Sequence, residues 1–219
     1  MSDAEAIVFV VDDDPSVRRS TERLVRSTGF GVRTFATGRE FLDFIAAAPA
    51  EGPACVVLDV QLPGPSGLDL QRELARIGAR IPIIFLTGRG SIPMSVRAMK
   101  EGAVEFLTKP VRSHDLLAAI RAAIAGDRVL QRERCEAAAL RERYARLTAR
   151  EREVMAHVVA GSLNKQIAGE LAASERTIKF HRAHVMNKMQ AESVADLVRL
   201  AARLGLEPPG ATAPVPEDR

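Results

Sequence analysis

Side chains that could carry a reaction stand at the ends of apolar runs in the first half of the sequence. The run Ile7–Val11 leads into three aspartates, and the run Cys55–Leu58 leads into Asp59. Two later runs lead into Thr87 and Lys109. Aspartate is a common turn-starter, so any one of these residues alone fits an ordinary strand end. Together they predict a cluster of carboxylates, a hydroxyl and an ammonium.

Such a cluster is suited to a narrow range of chemistry. Neighbouring carboxylates repel each other unless a cation lies among them. Ligands that are all oxygen favour a hard ion, most plausibly Mg²⁺. A metal ion and a lysine together neutralise the charge of a phosphoryl group in transit, and the hydroxyl of Thr87 could hydrogen-bond its oxygens. The residues therefore favour phosphoryl transfer to a carboxylate, which gives an acyl phosphate.

The elements that must position these residues alternate between strand and helix. Helical patterns near 15–28, 38–47, 67–77, 91–101 and 113–125 follow the apolar runs Ile7–Val11, Val32–Phe35, Cys55–Leu58, Ile83–Leu86 and Glu105–Leu107. Five β–α units in series predict an α/β fold with a doubly wound, five-stranded parallel sheet. Ligands of such sheets bind beyond the carboxyl ends of the strands, where the residues above stand.

Composition limits the class of protein. A chain of 219 residues with 47% hydrophobic residues is expected to form one or two globular domains. Its two cysteines, Cys55 and Cys135, stand apart from any metal-binding pattern. No apolar run approaches the roughly 18 residues of a membrane helix, and the acidic start is unlike a signal peptide. We therefore expect a reduced, cytoplasmic protein that contacts no membrane.

The second half of the sequence is helical in pattern. Residues 126–147 predict a helical linker after a first domain at 1–125. The stripe of Leu140, Tyr144 and Leu147 fits either a coiled-coil contact or, by our preference, a solvated spacer. Four helices then predict a small all-α domain over 148–205 that begins with a capping box of Thr148 and Glu151. The proline-rich segment 206–219 is predicted to be disordered.

A helix-turn-helix pattern lies inside the all-α domain. Ser174 is predicted to cap a helix whose apolar stripe is Ile178, Val185 and Met189. Between residues 162 and 188 there are five basic residues against two acidic ones. A solvated basic helix in a bundle would share this pattern, but the short helix, tight turn and basic amphipathic helix favour double-stranded DNA as partner.

The first half resembles the receiver domain of two-component response regulators. The resemblance rests on "VVDDDPSVR", "LDVQLPGPSG", "FLTGRG" and "AMKEGAVEFLTKP". It implies a flavodoxin-like fold in which Asp59 accepts a phosphoryl group. It also implies that Thr87 and Lys109 contact that group. By the same resemblance Phe106 is the aromatic residue that moves inward when the threonine moves, although a phenylalanine that simply packs in the core fits the sequence equally well. The resemblance further implies a Mg²⁺ site formed by Asp12, Asp13, Asp59 and the main-chain carbonyl of Gln61.

Asp14 and Lys109 carry two further expectations. Asp14 adds a third carboxylate, which we assign to the outer shell of that site or to the cap of the following helix. The resemblance also implies that the Lys109–Pro110 peptide bond is cis.

The second half resembles the LuxR-type DNA-binding domain of the FixJ and NarL group of regulators. The matching pieces are "LTAREREVM", "AGSLNKQIA", "SERTIKFHRAHVMNKM" and "AESVADLVRLA". By position, the resemblance makes Lys179, Phe180, Arg182 and Ala183 candidates for base edges, with Arg182 suited to guanine. It makes Lys165, Thr177, His181 and Lys188 candidates for phosphates.

These resemblances imply a response regulator that acts as a transcription factor. Between an activator and a repressor, which the resemblances leave open, our preference is an activator. Its expected partners are a sensor histidine kinase, promoter DNA, RNA polymerase and, after phosphorylation, a second copy of the chain. One alternative is a phosphatase of the haloacid-dehalogenase type, which needs an acid or alcohol where this chain has Gln61. Another is a phosphorylation-independent binding module, which would need a broken acidic site. We therefore expect a regulator and not an enzyme.

Overall fold

The computed structural model describes residues 6–47, 52–88 and 90–206. The predicted disorder of the tail after Leu206 therefore lies outside the described residues. The chain divides into two compact units, Met1–Arg132 and Glu133–Arg219. Among the residues that the structure describes, no helix is long and apolar enough to cross a membrane.

The first unit is a five-stranded parallel sheet with the order β2-β1-β3-β4-β5. Its strands are β1 (Ile7–Val11), β2 (Gly31–Phe35), β3 (Ala54–Leu58), β4 (Ile83–Thr87) and β5 (Glu105–Thr108). Its helices are α1 (Pro15–Arg26), α2 (Gly38–Ala47), α3 (Gly67–Arg76), α4 (Ile92–Lys100) and the start of α5 (Ser113–Ala145). The predicted doubly wound fold is confirmed.

Two apolar layers hold the sheet between the helices. Phe9 and Val11 of β1 belong to one layer, while Val8 and Val10 belong to the other. Successive side chains of a strand point to opposite faces, so an uninterrupted apolar run is what a doubly covered strand requires. Cys55 packs as a small apolar residue in the second layer, and burial raises the pKa of its thiol to about 12.

Local capping sets where the helices begin. Asp14 caps α1 by accepting a hydrogen bond from the Ser16 amide at 2.7 Å, and Pro15 occupies the first turn. This confirms the capping alternative for Asp14. In α3, Ser66 and Asp69 form a reciprocal capping box. Because these caps begin the helices close to the strand ends, the loops between them are short.

Helix α5 differs from the prediction because it continues without a break from Ser113 to Ala145. Beyond residue 125 it is tied to the first unit by two side chains. The buried Asp127 accepts a hydrogen bond from the Ala54 amide at 2.9 Å, and Gln131 donates to the carbonyl of Gly52 at 2.9 Å. The start of the predicted linker therefore packs against the amino end of β3.

The second unit comprises the end of α5 and four further helices. These are α6 (Ala149–Val159), α7 (Asn164–Glu170), α8 (Glu175–Met189) and α9 (Val194–Arg203). The predicted capping box of Thr148 and Glu151 begins α6, and Ser174 caps α8 as predicted. Val154, Ile167 and Ile178 are fully buried at its centre.

The interpretation of Leu140, Tyr144 and Leu147 as a solvated spacer stripe is wrong. Leu140 and Leu147 are both 3% exposed within the core of the second unit, and Tyr144 packs against that core. The stripe buries apolar area against helices that follow it in the same chain, which is favourable in water. Periodicity shows that a helix has an apolar face but not which surface covers it.

Candidate functional sites

The predicted acidic cluster lies at the carboxyl edge of the sheet and is joined by one lysine. Lys109 Nζ lies 2.5 Å from Asp12 Oδ2 and 2.6 Å from Asp59 Oδ2. β1 and β3 pair in parallel with Val11 opposite Leu58, so their next residues, Asp12 and Asp59, stand side by side. Both aspartates are buried, whereas the Lys109 side chain is 21% exposed. The structure thus brings together residues that are up to 97 positions apart.

The cluster suits a hard cation. Asp12, Asp13 and Asp59 can each offer one carboxylate oxygen, and these oxygens lie within 4.8 Å of one another. Asp13 is exposed, so the group is open to solvent on one side. The Gln61 amide donates to Asp59 Oδ1 at 2.9 Å, which places the Gln61 main chain beside the carboxylates. An all-oxygen donor set of this kind fits Mg²⁺.

Burial and charge perturb the titration of this site. Burial raises the pKa of Asp12, with a smaller contribution from the charge of Asp59, although Lys109 opposes both. Burial by itself would lower the pKa of Lys109, but its hydrogen bonds and charge interactions with Asp12 and Asp59 prevail and raise it. Lys109 is therefore held as an ammonium, but its single positive charge does not balance the carboxylates of Asp12, Asp13 and Asp59. The net negative charge that remains favours the binding of a cation.

Thr87 and Phe106 lie on the neighbouring strands β4 and β5, and Thr87 is joined to the cluster through the main chain of Lys109. Thr87 is fully buried at the end of β4, and its carbonyl accepts a hydrogen bond from the Lys109 amide at 2.8 Å. Phe106 on β5 is half-buried, with its ring centroid 6.0 Å from that of Phe85. The Lys109–Pro110 bond is cis, as expected.

Two residues that support the acidic cluster were not assigned from the sequence. The Arg18 guanidinium donates to the carbonyl oxygens of Asp12 at 2.6 Å and Asp13 at 2.8 Å, which fixes the loop after β1. Gly67 packs directly on the main chain of Asp59, and a Cβ there would lie 2.3 Å from the Asp59 carbonyl oxygen. Arg18 and Gly67 are the last residues of the motifs "VVDDDPSVR" and "LDVQLPGPSG". Their roles depend on main-chain contacts that only the folded structure reveals.

The predicted helix-turn-helix is formed by α7 and α8. Ile178, Val185 and Met189 are buried on the inner side of α8, as the apolar stripe predicts. The DNA candidates differ in exposure. Five are exposed, namely Lys165, Thr177, Lys179, Phe180 and Ala183, and three are half-buried, namely His181, Arg182 and Lys188.

Two of the half-buried cations are engaged inside the second unit. Arg182 Nη1 donates to Asn164 Oδ1 at 3.0 Å, which joins α8 to α7. Lys188 Nζ lies 2.7 Å from Glu151 Oε2, which joins α8 to α6. In this structure a buried carboxylate pairs with the Lys188 ammonium, and the phosphate contact of Lys188 stays a prediction.

Glu151 is a buried carboxylate that joins α6 to α8 in the second unit. The sequence predicted it only as a member of a capping box. Its side chain is 4% exposed and lies 3.6 Å from His184 Nδ1 as well as beside Lys188. Burial by itself would raise the pKa of Glu151, but the hydrogen bonds from Lys188 and Thr148 outweigh burial and lower it to about 2. Glu151 is therefore ionised in the folded protein at neutral pH.

Two family models match the chain, one in each unit. The response regulator receiver domain matches residues 8–121, and the bacterial regulatory proteins of the luxR family match residues 145–201. The acidic cluster lies in the first range, and the helix-turn-helix lies in the second.

Known proteins resemble the chain over most of its length. Nodulation protein W of Bradyrhizobium diazoefficiens is 50% identical over 92% of this chain and 88% of its own length. The transcriptional regulatory protein FixJ of the same organism is 43% identical over 91% of this chain and 96% of its own length. The solved structure of the response regulator StyR is 44% identical in sequence and superposes with a TM-score of 0.85. The match includes 91% of this chain and 100% of the StyR chain.

Proposed function

The chain belongs to the response regulators of two-component systems, with a receiver domain and a LuxR-type DNA-binding domain, and from this premise we propose how its residues work. Proteins of this family are DNA-binding transcriptional regulators, which are not a class of enzymes. We propose that a sensor histidine kinase phosphorylates Asp59 and that this modification controls DNA binding by the second unit.

The observation that carries the proposal is the bridge of Lys109 between Asp12 and Asp59. An Asp59 carboxylate oxygen attacks the phosphorus of the donor, the new P–O bond forms, and the P–N bond of the phosphohistidine breaks. The leaving imidazole nitrogen takes up a proton. Lys109 already lies 2.6 Å from Asp59 Oδ2, so its ammonium is placed to neutralise charge on the transferred group.

Mg²⁺ is the proposed cofactor, with Asp12, Asp13, Asp59 and the main-chain carbonyl of Gln61 as its ligands. When bound, it would supply positive charge beside the phosphoryl oxygens. Arg18 holds the Asp12–Asp13 loop in place for this role through its two hydrogen bonds to their carbonyl oxygens. Carboxylates, Mg²⁺ and a lysine also serve haloacid-dehalogenase-type phosphatases. The residue that favours a regulator is Gln61, because it is neither the acid nor the alcohol which that chemistry requires.

The proposed switch couples Asp59, which follows the central strand β3, to the side of the sheet formed by β4 and β5. Thr87 hydrogen-bonds the new phosphoryl group, and Phe106 follows its movement. The surface that changes is the one formed by residues 91–125, where Ile92, Val96 and Met99 leave apolar side chains exposed on α4. A second copy of the chain then covers this surface, because burying apolar area is favourable.

The proposed output is activation of transcription through RNA polymerase. A dimer presents two helix-turn-helix units, which bind two half-sites about one helical turn apart. We propose a receiver over 1–125, a helical segment over 126–147 and a DNA-binding domain over 148–205. The division of the chain after Arg132 falls inside that helical segment.

Labelling with acetyl phosphate and Mg²⁺ tests the phosphoacceptor. We expect the wild type to be labelled and Asp59→Asn to remain unlabelled. The matched control is Asp43→Asn, which removes an exposed aspartate of α2 and keeps full labelling. No label on the wild type, or equal label on Asp59→Asn, contradicts the proposal. Calorimetric titration of Mg²⁺ tests the metal site separately, with weaker binding expected for Asp13→Asn.

A further inference from the structure

We propose that Arg176 and Phe180 read the bases of the operator and that Arg182 is a positioning residue. This inference rests on the proposed DNA-binding function and specifies how α8 carries it out. Arg176 had no assigned role, whereas Arg182 was the expected partner of guanine. The geometry of α8 reverses that assignment.

The outward face of α8 follows from its buried face. Ile178, Val185 and Met189 are buried, and an α-helix turns about 100° per residue. The side chains about half a turn away from this buried stripe are the ones that face out of the second unit. They are Arg176, Phe180, Ala183 and Asn187, and all of them are exposed. We call these residues the outer stripe of α8.

Arg182 lies outside the outer stripe. It stands one helical turn after Ile178, on the side of α8 that packs against α7, and it is half-buried. Its guanidinium donates to Asn164 Oδ1 at 3.0 Å. A base contact by Arg182 would have to break this hydrogen bond and turn the side chain around the helix. The same pair instead fixes the orientation of α8 on α7, and Lys188 with Glu151 fixes its other end on α6.

The outer stripe has the chemistry of a base reader. The amino-terminal part of a recognition helix is the part that reaches base edges, and Arg176 is the second residue of α8. Among the described residues Arg176 has neither a hydrogen bond nor an ion pair through its side chain, so its planar donors are available for guanine O6 and N7. Phe180, one turn later, is 58% exposed. Its apolar ring is suited to contact the methyl group of thymine.

Neighbouring side chains fix the position of the Phe180 ring. The His184 ring packs on it with centroids 4.2 Å apart, and the His181 ring lies 5.8 Å away. Ala183, the next residue of the outer stripe, has only a methyl group and leaves space beside the ring. An exposed phenylalanine held in this way is ordered before DNA binds, which reduces the entropy lost on binding.

Binding-site selection with the full chain, phosphorylated by acetyl phosphate, tests the inference. We expect the wild type to select a half-site that contains a preferred guanine and thymine. Arg176→Ala should lose the guanine preference and Phe180→Ala the thymine preference, each by about 10-fold. Arg182→Ala and Asn164→Ala should lower affinity for all sites by the same factor and leave the selected motif unchanged. Arg134→Ala, which removes an exposed arginine of α5, is the matched control for charge.

The double variant separates positioning from readout. If Arg182 acts through Asn164, the two changes together lower affinity no more than either change alone. Fluorescence of Tyr144, the one tyrosine of a chain without tryptophan, verifies that each variant keeps the second unit folded.

Two results would overturn the inference. One is a motif that Arg176→Ala leaves unchanged while Arg182→Ala removes its guanine. The other is loss of the motif in Asn164→Ala with full affinity retained. A wild type that selects no motif at all would instead refute the proposed DNA-binding function, and with it this inference.

Discussion

Replacing Glu151 by glutamine should destabilise the second unit at neutral pH and have little effect in acid. Glutamine keeps the shape of the side chain, and its amide oxygen can still accept the hydrogen bond that the Thr148 N–H donates in the capping box, so the change removes only the charge. The lost interaction is the ion pair with Lys188, whose Nζ lies 2.7 Å from Glu151 Oε2. The comparison therefore isolates the electrostatic contribution of one buried carboxylate.

The pKa of Glu151 gives the size of the effect. The value falls from 4.5 to about 2 in the folded protein. A decrease of that size corresponds to about 3 kcal/mol of stability at neutral pH. The Lys188 side chain is 34% exposed, so solvent screening weakens the pair. We expect a loss of about 2 kcal/mol for Glu151→Gln at pH 7.

The sign of the pH dependence follows from the direction of the pKa shift. A carboxylate whose pKa is lower in the folded state stabilises that state above its unfolded pKa of 4.5. This stabilisation disappears as the pH falls toward about 2, where the carboxylate is protonated in both states. The difference between wild type and Glu151→Gln should fall by about half by pH 3.5.

Urea unfolding followed by tyrosine fluorescence measures this difference in the full chain. The single tyrosine, Tyr144, packs against the core of the second unit, so its signal reports that unit alone. The control is Glu153→Gln, which removes an exposed partner of Arg150 in the same helix and should cost less than about 1 kcal/mol. Equal stability of Glu151→Gln and wild type at pH 7, or a difference that persists unchanged into acid, would refute the reasoning.

Four further substitutions test the structural arguments. Gly67→Ala should destabilise the first unit and slow phosphorylation of Asp59, because its Cβ would lie 2.3 Å from a main-chain oxygen. A Cβ added at Gly126, inside α5, would meet no atom within 4 Å. Gly126→Ala should therefore raise the melting temperature, since alanine in place of glycine stabilises a helix interior by about 1 kcal/mol. Calorimetry measures the melting temperatures of Gly67→Ala and Gly126→Ala, and equal values for the two variants would contradict both predictions. Leu140→Ala should lower the free energy of unfolding of the second unit by about 2–5 kcal/mol in the tyrosine assay. The exposed Leu130→Ala should change it little, and a neutral Leu140→Ala would restore the spacer interpretation.

Much of the fold was predictable because its determinants are local. The runs that became β1 and β3 are apolar on both faces, and only a doubly covered strand needs that pattern. Helix starts were equally accessible, because Asp14 and Thr148 bond to amides within three residues. The edge that would hold Asp59 followed from the rule that parallel strands end on the same side.

What the sequence determined by itself was the set of strand ends, the helix caps and the type of chemistry that their residues allow. Only the tertiary structure decided which charged groups meet. Lys109 bridges two carboxylates, one of them 97 residues away, Lys188 pairs with Glu151 across 37 residues, and Arg182 bonds to Asn164 across 18. Periodicity determines the side of a helix on which a residue lies, but its partner depends on how the helices pack against each other. For this reason the basic residues of α8 could be found from the sequence, while the fold was needed to separate Arg182 and Lys188, which bond inside the second unit, from the exposed Arg176 and Lys179.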